Sequence, residues 1–158
     1  MIFVTVGTHY HGFERLIKKM DEVSLKIDEN VVMQIGNTEY EPKNCEYYKF
    51  VEEEQMLDLY KNSDVIVAHG GEGTLMDALS FVKPVIVVPR LKKFHEHTDD
   101  HQIEISEALE SQGKVIVIYD VNRLENALVE AKKMSLQQTK KSKTLAKFLE
   151  DYLRELKI

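Results

Sequence analysis

The chain has 158 residues, 43% hydrophobic and 30% charged, enough for one globular domain with its own core. No apolar run nears the roughly 18–20 residues of a membrane span, and the single cysteine, Cys45, leaves no internal disulfide and fits a reducing compartment. Net charge is −6: residues 132–158 hold eight basic and three acidic groups (+5), while the rest hold 13 basic and 24 acidic groups (−11), an acidic body that argues against nucleic acid as a partner.

Residues 2–6 (Ile-Phe-Val-Thr-Val) read as a buried strand that starts at once, with no basic leader ahead of it, and Gly7-Thr8 ends it. Phe13, Leu16, Ile17, Met20 and Val23 then recur at helical spacing. Residues 31–35 form a second strand, ended by Gly36-Asn37, and residues 46–51 a third. Glu53 to Asn62 is a short helix expected to turn Met56, Leu57 and Tyr60 inward. A strand over 64–68 precedes a helix over 74–82. Pro84 to Val88 is the next strand, closed by Pro89. A helix capped by Asp99 or Asp100 runs to about Gln112 and stops at Gly113. Residues 114–119 form the last strand, and Asp120 or Asn122 opens a helix to Met134.

A final helix, over about 138–157, carries Leu145, Phe148, Leu149, Tyr152, Leu153 and Leu156 on one stripe. That stripe fits packing on the domain itself or on another subunit. Its basic charge fits a solvated face, an anionic membrane surface or an acidic partner. The expected division is therefore a body over 1–134 and an amphipathic basic helix over 135–158.

Strands that alternate with helices and read as continuous Val/Ile runs indicate an α/β fold, a Rossmann-like parallel sheet covered by helices on both faces. Ligands of such sheets sit beyond the carboxyl ends of the strands. Gly7-Thr8, Gly36-Asn37, Phe50-Val51, His69-Gly70-Gly71 and Arg90 all fall there.

The most informative stretch is His69-Gly70-Gly71-Glu72-Gly73-Thr74, between a strand and a helix. Such a turn gathers bare N–H groups and the positive end of a helix dipole, which suits a phosphate or diphosphate. The glycines let a ligand approach the backbone. The turn is neither a Walker loop nor Gly-x-Gly-x-x-Gly, and Gly7 to Gly12 does not supply that fingerprint either, which weighs against a nicotinamide or flavin enzyme. Asp77, one turn into the helix, is suited to a ribose diol or to the helix dipole. His95, His97 and His101 lie within eight residues that also hold Glu96, Asp99 and Asp100. A metal reading of them is weak, because His95 and His97 at i, i+2 need an extended loop and no distant Cys/His cluster adds ligands. A hydrogen-bonding loop over a sugar suits them better, with His101 and Gln102 at the helix start.

The combined pattern resembles the C-terminal domain of glycosyltransferase family 28, one half of a GT-B enzyme. It is similar above all to the soluble donor-binding subunits of split UDP-sugar transferases, in dolichol-linked glycan assembly and in bacterial exopolysaccharide and capsule synthesis. The matching stretches are Ile2 to Thr8, Gln34 to Gly36, Asp64 to Leu79, Lys83 to Pro89 (without the usual glycine) and Asp100 to Gln102. The long Glu96 to Gln102 loop favours the exopolysaccharide branch.

The resemblance implies that Gly70, Gly71, Gly73 and Thr74, with His69, hold the donor diphosphate. Phe50 and Val51 would flank the uracil, with Met56 nearby. Asp77 stands where the family usually has a glutamate on the ribose, and Glu72 where a small residue is common. Gln102 and His101 would meet the sugar, Arg90 would line the same edge, and Gly7-Thr8 would face the cleft. The implied reaction is an inverting transfer to a lipid-linked acceptor, with no metal or cofactor. The general base is expected on a membrane-anchored partner that supplies the other GT-B half. Within this chain only His69 and His101 are candidate catalytic groups. The expected location is cytoplasmic, at the membrane face. A non-catalytic stabilising or enhancing subunit is the alternative.

Overall fold

The computed structural model describes residues 1–134 and 142–156, the side chains of 142–146 excepted. Six strands form one parallel sheet in the order β3-β2-β1-β4-β5-β6. They are β1 (Ile2–Thr5), β2 (Val31–Gln34), β3 (Glu46–Tyr48), β4 (Val65–His69), β5 (Val85–Val88) and β6 (Ile116–Val117). The helices are α1 (Glu14–Ser24), α2 (Glu53–Asn62), α3 (Glu72–Ser80), α4 (His101–Ser111), α5 (Leu124–Met134) and α6 (Ser142–Leu156). The chain builds outward from β1 to β3, returns through α2, and resumes at β4, so the strand order reverses between β1 and β4.

The two-residue period of a strand sends neighbouring side chains to opposite faces. Ile2, Val4, Val65, Val67, Ile86 and Val88 meet α1 and α5 on one face. Phe3, Ile66, Ala68, Val85 and Val87 meet α2, α3 and α4 on the other. Leu149 of α6 is buried in this second layer, with Phe148 and Tyr152 packed beside it.

Several boundaries differ from those read in the sequence. The third strand ends at Tyr48, leaving Phe50 and Val51 in the loop beyond it, and the sixth shrinks to Ile116–Val117. Leu57 is 43% exposed rather than inward, because Tyr60, with Met56 and Leu59 beside it, already covers the face of α2 that meets the sheet. The mid-chain helix starts at Glu72, so Gly73 and Thr74 form its first turn. Asp99 Oδ1 accepts the His101 N–H, whereas the Asp100 carboxylate turns back to the Lys92 N–H. The start expected at residue 138 for the last helix lies outside the described residues. Among those described, no helix is long and apolar enough to cross a membrane.

Candidate functional site

The reversal between β1 and β4 opens a crevice beyond the carboxyl ends of the strands, where open α/β sheets take ligands. His69 ends β4 there, between two glycines. A Cβ on Gly7, whose φ is +72°, would come within 2.5 Å of His69 Nε2, and one on Gly71 within 2.2 Å of its Cε1. Gly70 faces Gln102 and Ser106 of α4, where a Cβ would lie 2.8 Å from Gln102 Cβ. Three of the edge glycines therefore make room for the protein's own side chains. At Gly73 a Cβ would meet nothing within 4 Å, so that face of the turn is open.

Gln102 is buried and ties the corner together. Its Oε1 accepts the N–H groups of Gly70 (2.9 Å) and Arg90 (3.0 Å), which turns its amide nitrogen to His69 Nδ1 at 3.1 Å. Nδ1 is thereby an acceptor, and the ring proton sits on Nε2, 3.1 Å from Thr74 Oγ1. This tautomer follows from the hydrogen-bond network. Burial, with the Arg90 charge next, pushes the imidazole down to about 3. His69 is thus neutral near pH 7 and donates to Thr74. The Thr74 hydroxyl proton has no acceptor among the described residues, and neither do the amides of Glu72, Gly73 and Thr74, since no side chain caps the helix. Three N–H donors, one hydroxyl and the positive end of the helix converge on one spot.

Arg90, expected to line the ligand, is 1% exposed. Its guanidinium donates to the carbonyls of Val6, His11, Gly12 and Glu96 and lies over the Phe13 ring, and burial lowers it to about 10. It staples the β1–α1 loop to the loop after β5 through its two terminal nitrogens, while its buried Nε has no partner among the described residues. Gln102 is likewise committed within the fold, which leaves His101 as the polar side chain of that pair open at the surface. His69 has both ring nitrogens engaged and offers no lone pair to act as a base.

The other expected residues stay open. Thr8 is exposed beside Gly7, Phe50 is 53% exposed, and Val51 is half-buried. Asp77 is exposed, and burial followed by Glu53 raises its carboxyl. The Glu72 carboxylate turns toward α4, with Oε1 3.4 Å from His101 Nε2.

Gln34 entered the sequence reading only as part of the matching stretch Gln34 to Gly36, with no role assigned to it. Its Oε1 accepts from Thr5 Oγ1 and the Gly7 N–H, and its Nε2 donates to the carbonyls of Gly7 and Lys49. It fixes the ends of β1 and β3 beside the crevice. The available signal was a glutamine inside the apolar run Val31-Val32-Met33-Gln34-Ile35. The histidines of the expected loop also pair unexpectedly. His97 stacks on His9 at 4.6 Å, and His9 on His11 at 5.0 Å. Among the described residues no group of three or more His, Cys, Asp or Glu is arranged to hold a metal.

A parallel sheet in this order, with an uncapped helix at its reversal point, defines a Rossmann-like domain. The chain belongs to the glycosyltransferase family 28 C-terminal domain, whose sequence model matches residues 1–156. It is 27% identical over 106 residues to an Idiomarina loihiensis protein, the UDP-N-acetylglucosamine--N-acetylmuramyl-(pentapeptide) pyrophosphoryl-undecaprenol N-acetylglucosamine transferase, a match covering 67% of this chain and 28% of that protein. It is 34% identical over 62 residues to the UDP-N-acetylglucosamine transferase subunit ALG13 of Candida glabrata, covering 39% of this chain and 28% of the relative. The Candida albicans protein of the same name is 26% identical over 120 residues, covering 72% and 39%. The chain thus spans well under half the length of these relatives.

Among solved structures, the kitacinnamycin glycotransferase superposes with a TM-score of 0.64 at 23% identity, over 98% of this chain and 39% of that one. Acinetobacter baumannii MurG gives 0.60 at 16% identity, over 94% and 49%. At these identities the likeness is one of fold.

Proposed function

We propose that this chain is the donor-binding component of an inverting UDP-sugar glycosyltransferase. Its acceptor site and general base would lie on a membrane-anchored partner, and its product would be a lipid-linked glycan of the exopolysaccharide or related type. The chain would act at the cytoplasmic membrane face and without a metal. The observation that carries this reading is the first turn of α3: free amides at Glu72, Gly73 and Thr74, and a Thr74 hydroxyl held as a donor by neutral His69. Relatives named as UDP-N-acetylglucosamine transferases, two of them as subunits, support the donor class and the division of labour.

In this reading the acceptor oxygen attacks the anomeric carbon as the bond to the diphosphate breaks. The electron pair leaves with UDP, and the partner's base takes the acceptor proton. Negative charge grows on the diphosphate as that bond breaks, so fixed donors at a helix terminus stabilise the transition state more than the ground state. His69 is neutral and engaged, so it serves as a positioning residue. Asp77 would hold the ribose, and Phe50 and Val51 the base.

Isothermal calorimetry with UDP, UMP and uridine tests the reading. UDP is expected to bind at least about tenfold tighter than UMP, because the second phosphate reaches the α3 amides. No UDP binding, or equal binding of UDP and uridine, overturns it and leaves the non-catalytic subunit as the better account.

A further inference from the structure

The donor reading above leaves one side chain of the glycine turn unused. Glu72 opens α3, yet an anion site at a helix N-terminus needs only the amide of that residue. Its carboxylate has another position to fill, and the strand order indicates which.

Phe50 and Val51 follow β3 at one edge of the sheet, whereas His101 opens α4 after β5, on the far side of β4. The N-terminus of α3 follows β4 and stands between them. In the donor site proposed above, a nucleotide with its base toward Phe50 and its diphosphate on α3 that continues along the same edge brings its sugar to His101. There Glu72 Oε1 lies 3.4 Å from His101 Nε2, and Glu104 Oε2 lies 3.7 Å from His101 Nδ1. All three side chains are open, at 39%, 48% and 68% exposure. One imidazole between two carboxylates leaves a net negative patch whether or not the ring is protonated. At the start of α4 the His101 N–H is taken by Asp99 Oδ1 at 2.8 Å, which places a further carboxylate beside the ring.

We propose that Glu72, held by His101, selects the charge class of the donor sugar: uncharged hexoses and N-acetylhexosamines are admitted, and uronic acids are rejected. The inference rests on the donor site proposed above. A neutral sugar can donate hydroxyl hydrogen bonds to Glu72 and Glu104. A sugar with a C6 carboxylate brings a like charge to the same patch. At about 6 Å and the high effective dielectric of an open site, that repulsion weakens binding by about three- to tenfold.

Calorimetry on the full chain at low salt decides the matter, using UDP, UDP-glucose and UDP-glucuronic acid. The two sugars differ only at C6. UDP-glucose is expected to bind about three- to tenfold tighter than UDP-glucuronic acid. The gap should narrow in Glu72→Gln and with added salt. Equal affinities for the two sugars, or a gap that Glu72→Gln leaves unchanged, overturn the proposal while UDP binding preserves the donor site. No binding of UDP overturns the donor site and this inference with it.

Discussion

His69 Nε2 and Thr74 Oγ1 stand 3.1 Å apart across the first turn of α3, and that pair links the interior of the fold to its open corner. Behind His69, Gln102 joins the ends of β4 and β5 through the amides of Gly70 and Arg90. In front of it, the hydroxyl of half-buried Thr74 has no acceptor for its proton among the described residues. Thr74→Val keeps the shape of the side chain and removes the donor. UDP affinity is expected to fall by about tenfold or more, the scale of a hydrogen bond to a charged group, and stability by about 1–3 kcal/mol, because the buried His69 Nε2–H loses its acceptor. Calorimetry paired with thermal denaturation checks both halves.

The glycines separate into two kinds. Gly71→Ala drives a Cβ into the His69 ring, so it is expected to destabilise the domain by about 2 kcal/mol or more. Gly73→Ala meets open space inside a helix and should leave stability equal or slightly higher, while hindering the approach of a diphosphate. Urea unfolding of both variants, with UDP binding of the second, is the measurement. Similar stability losses at the two positions would contradict the packing described.

Stability should depend on pH through His69. Its folded value, about 3, lies below the ordinary 6.5 of an unfolded histidine. The unfolded chain therefore binds a proton first as pH falls. The contribution is complete above about pH 6.5 and is lost progressively toward pH 3, with a slope of up to ~1.4 kcal/mol per pH unit. His69→Gln should flatten the slope measured by urea unfolding between pH 6.5 and 5. A slope identical to that of the parent chain would remove His69 as its source.

Leu149 lies at 5% exposure among residues of α3 and α4, which makes α6 part of the core on that face. Leu149→Ala is expected to cost about 2–3 kcal/mol, read from the urea midpoint. A change below about 0.5 kcal/mol would mean that α6 does not pack there in solution.

Val82 occupies the left-handed region with φ of 55°, an unfavourable place for a β-branched residue. It joins α3 to Lys83-Pro84. Val82→Gly should relieve the backbone and raise stability by about 0.5–1 kcal/mol, offset in part by the added freedom of the unfolded chain. Differential scanning calorimetry would detect the rise.

The α/β alternation, the parallel sheet and the strand-turn-helix at His69 to Thr74 were legible because each depends on local periodicity and on where glycines interrupt it. The assignment of roles within the turn was harder to read. Gly7, Gly70 and Gly71 look like ligand-facing glycines in the sequence, but two of them accommodate an imidazole from β4 and one accommodates α4. Arg90 and Gln102 read as ligand contacts because both are polar and sit at strand ends. The fold instead uses them to satisfy backbone groups that β1, β4 and β5 leave at their ends. Leu57 was misread because apolar spacing on a ten-residue helix does not say how wide a stripe the sheet can cover.

Hydrophobic period and chain punctuation by themselves determined the class of fold and the order of its elements. These are properties of neighbours along the chain. Tertiary structure alone decided which polar groups remain free at the strand ends. That outcome depends on contacts between segments tens of residues apart, such as Gln102 with Gly70 and Arg90 with Val6. A buried donor or acceptor must find a partner wherever the fold brings one. What the fold leaves without partners there is the first-turn amides of α3 and the Thr74 hydroxyl proton, beside the open face of Gly73.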